Sequence, residues 1–86
     1  MGKYEKIIFQ ILRGTIDANI PFPDLVGLLK HFGFEERIKG SHHIFRKAGI
    51  EEKINLQKDG NKAKPYQVKQ VRNILITYKL EVKINE

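Results

Sequence analysis

An α+β domain, ordered α-β-β-β-α behind one additional N-terminal helix, is the fold the sequence predicts. Three observations lead to it. Apolar residues recur at helical spacing in three separated stretches. Between the second and third stretch lie short segments of β character, punctuated by turns that contain glycine. The 86 residues leave room for one domain with one core. Three antiparallel strands with a helix at each end form one sheet layer covered on one face, and the other face stays open to a partner.

Tyr4, Ile7, Ile8, Ile11 and Leu12 fall at i, i+3, i+4, i+7 and i+8, an amphipathic helix that Gly14 can stop. Residues 15–21 read as a connecting loop. Pro23 suits a first helical position, and Asp24 is favourable at the positive end of a helix. Leu25, Leu28, Leu29 and Phe32 repeat the pattern, with Gly33 as the C-cap candidate. Strands are expected over Phe34–Lys39, His42–Lys47 and Glu52–Gln57. Gly40-Ser41 has the Gly-X form of a type II′ hairpin turn, and Gly49 marks a second turn. Residues 58–64 read as a polar, basic loop. Pro65 opens a last helix whose core stripe is Val68, Val71, Leu75 and Tyr78. Val82 and Ile84 alternate with charged residues in a tail, 80–86, that reads as a short strand or a frayed end.

Charge divides unevenly along this layout. Residues 1–36 hold four Lys/Arg against five Asp/Glu, whereas residues 37–79 hold eleven against three, a local excess of +8. The net charge of +6 therefore resides in the strand-containing half. Such segregation suits a polyanion, because each neutralised phosphate releases counterions. The absence of cysteine excludes disulfides and thiolate metal sites. No apolar run approaches a bilayer span, and the charged start lacks the layout of a signal peptide. A cytoplasmic protein without membrane contact is the expectation.

Chemistry concentrates in Gly40-Ser41-His42-His43-Ile44-Phe45-Arg46-Lys47. Neighbouring strand residues face opposite ways, so only one of His42 and His43 can serve a given site. An imidazole suits proton transfer near neutral pH, for RNA at a 2′-hydroxyl or a leaving oxygen. Taken alone, histidines at a strand start more often describe only a polar edge. Arg46 and Lys47 follow within reach of neighbouring phosphates. Lys62 and Lys64 precede the last helix, whose N-terminal N–H groups also favour an anion. Lys69 and Arg72 share the exposed side of that helix. His31, on a helix and without cysteine partners, offers no zinc-ligand spacing.

These residues carry a resemblance. Gly40-Ser41-His42-His43-Ile44-Phe45, then Lys53-Ile54-Asn55-Leu56, then Gly60-Asn61-Lys62-Ala63-Lys64-Pro65 and a helix ending near Ile74-Leu75 resemble the HicA (YcfA-like) toxin family over about residues 23–79. The resemblance implies a double-stranded-RNA-binding-domain-like fold and a messenger-RNA interferase of a type II toxin–antitoxin system. It also implies ribosome-independent cleavage and neutralisation by a HicB-type antitoxin. The family's catalytic histidine is the first after the turn, here His42. Ser41, His43, Arg46, Lys47, Lys62, Lys64, Lys69 and Arg72 are then the expected RNA contacts, with no metal or cofactor. Residues 1–20 become an N-terminal extension, 21–79 the RNA-binding and RNase domain. Tyr66 stands where many members carry a small residue or glycine. The residues themselves leave open a non-catalytic RNA-binding module of the same fold, which recognises A-form shape and phosphate. A DNA-binding role is disfavoured, since no helix-turn-helix is readable.

Overall fold

The computed structural model describes residues 2–80, so the tail strand suggested by Val82 and Ile84 lies outside the described residues. Helix α1, Lys3–Arg13, buries Ile7, Ile8 and Ile11 on one face. Gly14 ends it at φ +70, returning its N–H to Ile11 O at 3.1 Å. The following loop holds a single 3₁₀ turn, Asp17–Asn19. Helix α2, Phe22–His31, starts one residue before Pro23, with extended Pro21 as its N-cap, and buries Phe22, Leu25, Leu28 and Leu29. Its end is a Schellman motif: Phe34 N–H reaches Leu29 O at 3.0 Å and Gly33 N–H reaches Lys30 O at 2.9 Å. Gly33 sits at φ +92, a conformation that glycine adopts without strain.

Three antiparallel strands follow, β1 (Glu35–Lys39), β2 (His42–Lys47) and β3 (Ile50–Leu56), in the order β1-β2-β3. Phe45 lies opposite both Glu36 and Ile54, and His43 opposite Leu56. Phe45, Ile54 and Leu56 are completely buried against the helices, each contributing roughly 1.5–3 kcal/mol of apolar transfer. Residues 58–64, expected as loop, instead form a small hairpin, β4 (Lys58–Asp59) with β5 (Lys62–Ala63). Its backbone is paired with the segment before α2: Phe22 N–H donates to Asn61 O and Ala63 N–H to Ile20 O, both at 2.9 Å. Buried Ala63 anchors it, and the polar residues around Ala63 hid that anchor from the sequence.

Helix α3, Pro65–Thr77, opens with its proline where a missing N–H costs nothing and buries Val68, Val71, Ile74 and Leu75. The core is one cluster that draws on α1, α2, the sheet and α3. The fold is the expected α+β arrangement, α-β-β-β-α with an extra N-terminal helix. Among the described residues no helix is long and apolar enough to cross a membrane.

Candidate nucleic-acid interface

The chain reverses in two residues at Gly40-Ser41, with Gly40 at φ +61 and Lys39 paired to His42 across the turn. His42 opens β2 and its ring is exposed. Its Nδ1 lies 3.1 Å from Asn55 Oδ1 on β3. A carboxamide oxygen can only accept, so Nδ1 donates and Nε2 is left to other partners. One side chain joins this turn to the start of α3. Gln57 Nε2 donates to Ser41 Oγ at 3.0 Å, and Lys64 Nζ donates to Gln57 Oε1 at 3.1 Å. The backbone N–H of Gln57 donates to Oε1 of buried Gln67 at 3.2 Å. His42, Lys53, Asn55, Gln57, Tyr66, Gln67 and Gln70 thereby line a shallow cleft between the sheet and α3.

Directly opposed residues of an antiparallel pair share a face. The register Lys39↔His42, Arg37↔Ile44↔Asn55 and Glu35↔Arg46 assigns all of these to the sheet face opposite buried Phe45, a face that the start of α3 borders along the β3 edge. Lys53, two residues from Asn55, joins them. The open face thus carries Arg37, Lys39, Arg46 and Lys53 as well as His42, with Lys53 in the same cleft as the imidazole, and Glu35 faces Arg46 across the strands. Lys47 turns the other way, its Nζ 3.1 Å from where a Cβ on Gly33 would sit.

The remaining expected contacts divide. Lys64, the N-cap residue of α3, belongs to the Gln57 network. Lys62 and Lys69 are exposed, Lys62 on β5 outside that network. Arg72 is not on the exposed side of α3. Its guanidinium donates to both carboxylate oxygens of Asp17, at 2.9–3.1 Å, and to Ile11 O at 3.1 Å. With the two side chains only 17% and 22% exposed, this is a structural clamp between α3 and the N-terminal segment. The sequence could not show it, because Asp17 and Arg72 meet only through tertiary packing.

His43 lies on the helix side. Its Nδ1–H donates to Glu36 Oε2 at 2.8 Å, and Phe22 meets its ring edge-on at 5.0 Å. That hydrogen bond is the main cause holding the Glu36 carboxyl below its ordinary range. Partial burial opposes it, and Lys30, 3.0 Å from the other oxygen, reinforces it.

Arg37, Lys39, Lys53, Asn55 and Tyr66 were not among the expected contacts. Counting back from the Gly40-Ser41 turn would have found Arg37 and Lys39. Asn55 was harder to align, because the β2–β3 register shifts between Lys47↔Ile50 and Phe45↔Ile54. Among the described residues no three His, Cys, Asp or Glu side chains gather as a metal-binding group. No curated protein and no solved structure matches the chain. A family model does: the one described as "HicA toxin of bacterial toxin-antitoxin" matches residues 22–77.

Proposed function

The chain belongs to the HicA toxin family of bacterial toxin–antitoxin systems, and from that premise we propose a messenger-RNA interferase in which His42 moves the proton. The observation that carries this reading is an exposed imidazole, held through Nδ1 by Asn55, on a sheet face that also bears Arg37, Lys39, Arg46 and Lys53. Nε2 takes the proton of a ribose 2′-hydroxyl, the 2′-oxygen bonds to the adjacent phosphorus, and the P–O5′ bond breaks. The imidazolium returns its proton to the departing 5′-oxygen, which leaves a 2′,3′-cyclic phosphate on the upstream fragment. Arginine and lysine on the same face hold the phosphate and offset the charge gathering on its oxygens. Ser41 and Lys64 steady the turn and the start of α3 through Gln57, and Lys62 and Lys69 add exposed charge for the flanking backbone. The partner that would silence this face is a HicB-type antitoxin.

Incubating the purified chain with single-stranded RNA tests the reading. Cleavage should give cyclic or 3′-phosphate ends, survive EDTA, and fall by about 10²-fold or more in His42→Ala while RNA binding persists. Full activity in His42→Ala, or activity lost on chelation, would overturn the mechanism. If the unaltered chain binds RNA and never cuts it, a non-catalytic RNA-binding module is the function.

A further inference from the structure

Tyr66 is 66% exposed, although it stands in the first turn of a helix that buries five of its other residues. The core gains little from its ring. It lies instead on the wall of the cleft that His42 and Asn55 also line. One helical turn further on, Gln70 donates its amide to Lys53 O at 3.3 Å, which leaves its Oε1 to accept. Asn55 receives His42 on Oδ1, which leaves Nδ2 to donate. An aromatic face, an amide donor and an amide acceptor thus share one cleft with the imidazole.

We propose that Tyr66 is a base platform. An unpaired nucleobase beside the scissile phosphate stacks on its ring and turns its edge to the amides of Asn55 and Gln70. Stacking of this kind tolerates any base and strengthens single-strand binding. It requires a base out of the helix, since an A-form duplex offers no exposed base face. The substrate at the cut site is therefore unpaired RNA. This rests on the cleavage reading for which region of RNA is bound, and not for the stacking itself.

The chain contains no tryptophan, so Tyr66→Trp supplies a single tryptophan at the platform, excited at wavelengths where Tyr4 and Tyr78 do not absorb. The probe is a single-stranded RNA with 2′-O-methyl on every ribose, which lacks the attacking hydroxyl. Its titration should quench the Tyr66→Trp emission to saturation, and the same sequence as a duplex should not. Tyr66→Ala and Tyr66→Leu should each bind the probe about tenfold more weakly, while Tyr66→Phe stays within about twofold of the unaltered chain. Absence of quenching, unchanged affinity in Tyr66→Ala, or Tyr66→Leu binding as well as Tyr66→Phe would each overturn the proposal. Because the probe cannot be cut, these outcomes are independent of whether His42→Ala abolishes cleavage.

Discussion

Adjacent residues of a strand point in opposite directions, and in β2 this sends His42 to the open face and His43 toward Glu36 and Phe22. The two histidines therefore differ in what their loss should do. Glu36, with its carboxyl held below the ordinary range chiefly by His43, adds stability that is fully present above the unfolded carboxylate value. That stability is lost as the pH falls through the lower, folded value. Chemical denaturation between about pH 7 and pH 3 should show an acid limb that Glu36→Gln flattens, with a loss of roughly 1 kcal/mol at neutral pH. An identical acid limb in Glu36→Gln would assign the acid sensitivity to other carboxylates. Only part of the candidate site was legible at this scale. The opposition of His42 and His43 follows from strand parity alone, whereas the choice of His42 over His43 came from the family resemblance. The engagement of Arg72 by Asp17 was not legible, because no local pattern brings together residues 55 positions apart.

Helices α2 and α3 end in the same way with different residues. After α3, Leu80 N–H reaches Leu75 O at 3.0 Å and Lys79 N–H reaches Ile76 O at 3.4 Å, so the left-handed position falls to Lys79 at φ +54. In α2 that position is Gly33. A side chain in this region costs about 1 kcal/mol, because its Cβ crowds the following carbonyl. Lys79→Gly should accordingly raise stability by roughly 0.5–1 kcal/mol, read as a higher denaturation midpoint with an unchanged slope. A lower midpoint would mean that the lysine side chain has a stabilising contact of its own. The helices were readable because apolar spacing and Gly or Pro punctuation agree: the expected stripes in α1 and α2 supply Ile7, Ile8, Ile11, Leu25, Leu28 and Leu29 to the core. The β4–β5 hairpin was not readable. Lys-Asp-Gly-Asn-Lys has the composition of a solvated loop, and the groups that order it belong to residues 20–22.

At the scale of the molecule, charge and fold coincide. The half with the local excess of +8 contains β2, β3 and all of β1 except Glu35 and Glu36, and four of its cations share the open face. If those four meet phosphates of single-stranded RNA, the logarithm of affinity should fall against the logarithm of salt with a slope of about −3. From 50 to 200 mM salt that is roughly a fifty-fold weakening. Filter binding across this range checks it, and a flat response would remove phosphate contact as the basis of affinity.

The clamp from Arg72 to Asp17 and Ile11 O has a temporal side. Its partners lie 55 and 61 residues before Arg72 in the chain, and the core that holds Ile11 also includes Val68 and Val71 from α3. During synthesis the N-terminal segment leaves the ribosome long before its partners exist. It cannot bury Ile7, Ile8 and Ile11 in their final setting until α3 has cleared the exit tunnel. A nascent chain that stops short of Arg72 therefore leaves the apolar face of α1 without all of its cover and lacks a finished core. The sheet bearing His42 precedes α3 in the chain, so the wall of its cleft formed by Tyr66, Gln67 and Gln70 is made after it.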